Sequence, residues 1–512
     1  MDKRTTVLLI LNGYGVYTKP VKKTAEKPDL IDGLKEKCPY SICLASGMAA
    51  GLPNGQMGDS YVGHINIGAG RIVYQDLSRI TKDIQDGTFF SNGVLTQAVE
   101  SCKKKDASLH LLGLLSDGGI HSHISHLYAL LEFARRQNMR KVYVHCIMDG
   151  IDSAPKKGAF YIDRLQNKMR ELGVGEIATV CGRYYAMDRS NNYDRIKTAY
   201  LAMTEGEGIK AASAEEAISQ AYHNDDTDEF VKPTVIVNGG VPVGTINDDD
   251  TVVCFNFRPD RVRELTHAFC DDEFRSFKRE RKLDITYACF TEYDQSIENK
   301  YVIFDHPHIR NSFGAFLEEN EKTQLRMAED ENGLFVTYAF NGYSDEIYDG
   351  EDRMIIHSPK LNRLEEKPEM SSLELTDRLC KAISSHTYDF ILCDYASLDL
   401  AGHRMNRDNC LKALGSINRE LKKVCDTVRE EAAVLFICST HGNIEKIEKA
   451  DDKTQDITCH TTNPIPFIMY NYDDSYTLRN GGCLADIVPT IIDSMDMEKP
   501  KEMTGKSLLI RK

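Results

Sequence analysis

Short runs of aliphatic and β-branched residues recur along the chain, at Val7–Leu11, Leu109–Leu115, Val142–Met148, Ile177–Val180, Val252–Phe257, Ile285–Phe290, Phe390–Cys393, Val434–Cys438 and Pro466–Tyr470. They are short and lack the polar alternation of a half-exposed strand, so they predict strands covered on both faces. Between them lie longer stretches with apolar residues three and four apart, such as Leu127–Arg136 and Tyr161–Leu172, which predict amphipathic helices. This alternation is the mark of an α/β protein with a mainly parallel sheet. The charged stretch Asp271–Lys282 is expected to be a solvated helix face, and Thr204–Asp228 a surface excursion.

In open α/β sheets ligands gather at the carboxyl ends of strands. Here Leu11 is followed by Asn12-Gly13, Cys393 by Asp394 and then Asp399–His403, and Cys438 by Ser439-Thr440-His441-Gly442-Asn443. A site built from them draws on both ends of the chain. Asp399 and His403 are four apart, on one face if helical, and His441 and His460 come later. Aspartate with several histidines is a donor set suited to zinc or manganese. The segment Gly55–Gly70 is too polar and glycine-rich for a core element, and it carries one aliphatic hydroxyl, Ser60, framed by Gly58 and Gly63. Such glycines let backbone approach a phosphate or present a nucleophile on a sharp turn, although a serine in this setting, taken alone, is more often structural.

Two arginine clusters follow strands: Arg183 and Arg189 in GRYYAMDR, and Arg258, Arg261 and Arg263 in NFRPDRVR. Clusters of this kind suit bidentate capture of phosphate or carboxylate, whereas a single surface arginine more often serves an ion pair. His121 and His123 add acid/base groups after another strand.

Composition narrows the field. At 512 residues the chain is long enough for two to four domains. With 63 Lys+Arg against 78 Asp+Glu, its net charge of −15 argues against a nucleic-acid partner. No apolar run approaches the roughly 18 residues of a membrane span, and Val7–Leu11 is too short for a secretion signal. The 15 cysteines form no C-x-x-C pair and several lie inside apolar runs, which suits reduced, buried thiols and a cytoplasmic location.

Taken together and in order, ASGMAAGLPNGQMGDSYVGHINIGAGRIVYQDLSRI, LLSDGGIHSH, GRYYAMDRS, FNFRPDRVR, KPEMS, HTTNPIPF and PKEMTGKSL closely resemble the cofactor-independent phosphoglycerate mutases of the alkaline-phosphatase superfamily. The resemblance spans nearly the whole chain. It implies an alkaline-phosphatase-like metal domain from residues 1–75 and 310–512, with an inserted second α/β domain, residues 76–309, for phosphotransfer and substrate binding. It also implies a cytoplasmic, glycolytic monomer, without nucleic-acid or membrane partners, that interconverts 3-phosphoglycerate and 2-phosphoglycerate through a phosphoserine with manganese. Ser60 falls on the nucleophile; Asp399, His403 and His460 fall on the ligands of one metal, and His441 on a ligand of the other. His121, Asp152, Arg183, Arg189, Arg258 and Arg261 fall on substrate-binding positions.

Some positions depart from the family pattern, and they cluster by role. L-D-G-W-G is Leu11-Asn-Gly-Tyr-Gly15 here, and A-D-H-G-N is Ser439-Thr-His-Gly-Asn443, so Asn12 and Thr440 replace two carboxylate ligands of the same metal. D-G-R-D is Asp149-Gly-Ile-Asp152, placing Ile151 where the family has an arginine, and Asn332 falls on an active-site lysine. A unit-charge pair near 4 Å is worth about 4 kcal/mol at an effective dielectric near 20, so losing two carboxylates is expected to leave one manganese site intact and the other weakened. Two readings stay open. One is a member with impaired or no turnover that keeps the fold, one metal and phosphoglycerate binding. The other is an active mutase using the intact site plus neutral oxygens at the second. The clustering of the losses favours the first. A phosphatase is the weakest alternative, because GRYYAMDRS and NFRPDRVR are retained.

Overall fold

The run Thr6–Leu11 is buried at every residue and lies in the interior of an eight-stranded sheet. The computed structural model describes residues 4–16, 30–305, 309–359, 366–404, 407–448 and 460–512. Two compact units share the chain, one of Met1–Gln75 with His308–Lys512, the other of Asp76–Pro307. The sheet of the first runs in the order Glu351–Ile356, Gln324–Glu329, Phe390–Tyr395, Thr6–Leu11, Val434–Cys438, Ile465–Tyr470, Tyr40–Leu44 and Gly482–Cys483. Ile10 pairs in parallel with both Asp394 and Cys438, which brings the ends of these three strands to one edge. Only Ile465–Tyr470 runs antiparallel to its neighbours. One face of the sheet packs Val7, Leu9 and Leu11 against Ile417 and Leu421 of the Arg407–Glu430 helix; the other packs Leu8 and Ile10 with Phe313, Phe340 and Ile487.

The second unit has its own sheet, ordered Tyr301–Val302, Thr286–Cys289, Thr251–Cys254, Leu109–Leu114, Val142–Met148, Glu176–Gly182, Thr234–Asn238 and Ile209–Ala211, with Val241–Pro242 paired to Thr234–Asn238. Its helices include Ile124–Arg136 and Gly158–Leu172, which contain the two segments whose spacing predicts helix. Each unit is α/β and each has its own apolar core.

All the apolar runs fall on strands, with ends shifted by a few residues. Two other expectations need correcting. Asp271–Lys282 holds no helix: the Arg263–Cys270 helix stops before it, and Arg279 instead donates to Ala268 O (3.0 Å) and Asp271 O (2.8 Å). Thr204–Asp228 is not a bare surface excursion, because it contains the strand Ile209–Ala211 and the helix Ala214–His223, which buries Ala214, Ala217, Ile218 and Ala221. A face made mostly of alanine gives little contrast in a hydropathy pattern. Among the described residues no helix is long and apolar enough to cross a membrane.

Candidate functional site

Ser60 is the first residue of the Ser60–Ala69 helix. Asp59 caps that helix by accepting from Val62 N (2.7 Å), which fixes the turn on which Ser60 is presented. Asn12, just past the Thr6–Leu11 strand, donates from Nδ2 to Ser60 Oγ (2.9 Å), and Thr440 Oγ1 donates to Asn12 Oδ1. His441 Nε2 lies 3.2 Å from Ser60 Oγ. The backbone between these groups is tight. Gly13 has φ +79°, and a Cβ there would lie 2.8 Å from Asp399 Cα, so only glycine lets the Asn12 turn approach Asp399 this closely. Glu445, a residue no sequence argument singled out, binds three loops together: it accepts from Gly15 N (3.0 Å), Asn443 N (2.8 Å) and Asn463 Nδ2 (2.9 Å).

Asp399 and His403 lie on the helix Ser397–Arg404, as their spacing suggests. With His460 they form the cluster in which one ligand atom from each lies within 4.8 Å of the others. His460 Nδ1 faces Gly58 O at 2.7 Å; a carbonyl only accepts, so Nδ1 carries a proton and Nε2 is the ring atom left to face a ligand. Nε2 points at His403 Nε2 (2.7 Å), and Asp399 Oδ1 lies 3.5 and 3.6 Å from the two rings. Burial pushes the Asp399 carboxyl up, but the His403 hydrogen bond, the His441 ring and Asn443 outweigh it and pull it down to about 2. An ionised carboxylate and imidazole nitrogens converging in this way fit a divalent cation. His441 stacks on His460 (3.8 Å between ring centres) and reaches Asp399 Oδ1 at 3.6 Å, while burial lowers its imidazole to about 4.

In the second unit the candidate substrate residues gather around three carboxylates. Arg183 NH1 binds Asp149 Oδ1 (2.6 Å) and Asp152 Oδ2 (2.8 Å). Arg258 Nε and Arg189 NH1 bind Asp260 at 3.1 and 3.2 Å. His121 lies between the carboxylates, 3.7 Å from Asp260 and 4.0 Å from Asp152; burial and the Arg183 charge lower it to about 4. Arg261 donates to Met187 O (3.4 Å), and burial together with Arg183 and Arg189 lowers its guanidinium. Arg183 Nε and His121 Nδ1 are buried without a hydrogen-bond partner, so polar capacity remains for a ligand. Asp149 and Asp260 were not among the candidates, although both stand inside the motifs Asp149-Gly-Ile-Asp152 and Arg258-Pro-Asp-Arg261. Ile151 is 53% exposed.

Residues 80–295 match the family model described as "BPG-independent PGAM N-terminus". The chain is 51% identical to a 2,3-bisphosphoglycerate-independent phosphoglycerate mutase of Lachnoclostridium phytofermentans and 47% identical to one of Acetivibrio thermocellus, with 100% of each chain covered in both cases. Among solved structures it is similar to a Leishmania mexicana phosphoglycerate mutase crystallised at low cobalt concentration, with a TM-score of 0.60, 26% identity, and coverage of 100% of this chain and 98% of that one.

Proposed function

The chain belongs to the 2,3-bisphosphoglycerate-independent phosphoglycerate mutases, and from that premise we propose that it binds phosphoglycerate and one manganese ion but turns substrate over poorly or not at all. Arg183, Arg189, Arg258 and Arg261, with His121, are the groups to hold the phosphate and carboxylate of 3-phosphoglycerate or 2-phosphoglycerate, and Asp152 is the group to accept from the substrate hydroxyl. Planar guanidinium groups recognise both anions in bidentate fashion. Asp399, His403 and His460 would hold the ion, which supplies positive charge to phosphoryl oxygens when bound. Ser60 is the phosphoryl acceptor in this scheme.

The observation that carries the reading is the surroundings of Ser60. Its hydrogen-bond neighbours are the Asn12 amide and the His441 imidazole, and Thr440 spends its hydroxyl proton on Asn12. One imidazole with neutral amide and hydroxyl oxygens is a poor donor set for a second divalent ion, so Ser60 lacks the directly bound metal charge that would favour its alkoxide. Asn332, likewise uncharged, is engaged with Asp394 (2.8 Å). The reading of a working mutase draws on the same atoms: Asn12 Oδ1 and Thr440 Oγ1 are oxygens, and a weak second ion could use them.

Phosphorus NMR of 3-phosphoglycerate with the purified protein and manganese separates the two, with Ser60→Ala as control. The expected result is broadening or shift of the substrate signal on binding and little or no 2-phosphoglycerate. Rapid formation of 2-phosphoglycerate that Ser60→Ala abolishes would establish the working mutase instead.

A further inference from the structure

His64 stands one turn after Ser60 in the same helix and is completely buried. Its Nδ1 lies 2.7 Å from Ser60 O. Because a carbonyl oxygen only accepts, Nδ1 must carry a proton, and the state of the ring is decided at Nε2. That nitrogen faces Asp394 Oδ2 at 3.2 Å, off the axis of a linear hydrogen bond. Asp394 is also completely buried, on the Phe390–Tyr395 strand; Oδ2 accepts from Asn332 Nδ2 (2.8 Å), while Oδ1 has no hydrogen-bond partner. A neutral ring would therefore aim a lone pair at a buried carboxylate that has one amide donor for two oxygens. A buried carboxylate is tolerated where a cation compensates it. Phe335 stacks on the imidazole (5.6 Å between ring centres), closing that side.

We propose that Asp394 holds His64 as an imidazolium, and that this ion pair is a positioning device for Ser60, gripping its carbonyl through Nδ1–H and placing a buried positive charge one helical turn from its hydroxyl. Burial holds the Asp394 carboxyl above its ordinary value and His64 and Asn332 draw it only part of the way back, so the assignment of charge rests on the geometry of the pair. The device deepens the functional reading, since it acts on the serine assigned there as phosphoryl acceptor. It does not depend on turnover. Asn12, Thr440 and Asn332 are uncharged, which leaves the imidazolium as the cation nearest in sequence to the serine on its own helix.

The test uses the full chain with ¹⁵N-labelled histidine at pH 8, and His64→Gln assigns the His64 signals by their loss. Wild-type protein is expected to show both His64 ring nitrogens protonated, and Asp394→Asn to convert Nε2 to the unprotonated form. An unprotonated Nε2 in the wild type overturns the proposal, and that spectrum decides even if Asp394→Asn does not fold. The positioning role has its own readout. Carbonyl-¹³C serine combined with ¹⁵N tyrosine marks the Ser60–Tyr61 and Ser475–Tyr476 peptide bonds alone. In Asp394→Asn the Ser60 carbonyl signal should shift and the Ser475 signal should not; equal shifts, or none, would remove the positioning role. Mutase turnover enters neither measurement, so these outcomes are separate from those of the phosphorus NMR experiment.

Discussion

Asn12 and Thr440, the residues proposed to replace ligands of a second metal, satisfy each other and Ser60 through neutral hydrogen bonds. At Asn12 the difference from a carboxylate ligand is charge, because asparagine and aspartate have nearly the same shape, whereas Thr440 differs in shape as well. Each carboxylate placed about 4 Å from a cation is worth roughly 4 kcal/mol at an effective dielectric near 20, about a thousandfold in affinity. The double variant Asn12→Asp with Thr440→Asp should therefore bind two manganese ions per chain where one is expected for the natural protein, measured by equilibrium dialysis with elemental analysis. A count that stays at one would mean that geometry, not charge, limits the second site. The residues that carry charge or a nucleophile inside a motif, such as Asp399, His403 and Ser60, could be picked out from the sequence. Glu445 could not, since its partners include a backbone amide and a side chain on loops remote in sequence, contacts that leave no local spacing.

The Ser60–Ala69 helix shows how little slack the element carrying the serine has. A Cβ on Gly63 would lie 2.4 Å from Thr440 Cβ, closer than side chains can approach. Helix propensity alone would make Gly63→Ala stabilising by up to about 1 kcal/mol. The contact predicts the opposite sign: the variant should lower the melting temperature of the first unit and disturb Thr440, and a raised melting temperature would show that the helix can move away at little cost. The same logic explains which elements could be read in advance. Strands buried on both faces, such as Val434–Cys438, announce themselves as unbroken apolar runs. Gln324–Glu329 is as deeply buried but is interrupted by Gln324, Arg326 and Glu329. Arg326 is accommodated by stacking on Phe340 (4.7 Å) and by donating to Asn341 (3.4 Å), arrangements that only the folded chain supplies.

At the scale of the molecule, each unit buries its own core around its own sheet, so a ligand that binds one unit should stabilise that unit first. The candidate cation cluster of Asp399, His403 and His460 belongs to the first unit, where it joins the helix Ser397–Arg404 to the loop that precedes the strand Ile465–Tyr470. An ion present at a hundred times its dissociation constant adds about 2.7 kcal/mol to the state that binds it. Hydrogen exchange with and without manganese should accordingly show protection rising in residues 397–404, 439–446 and 460–463. Peptides from Val142–Met148 and Glu176–Gly182 in the second unit should be unchanged. Phosphoglycerate without metal should give the reverse pattern, with protection centred on residues 183–195 and 256–263. If either ligand protected both units equally, the two would have to unfold as one cooperative body, and assigning metal to one unit and substrate capture to the other would lose its thermodynamic basis.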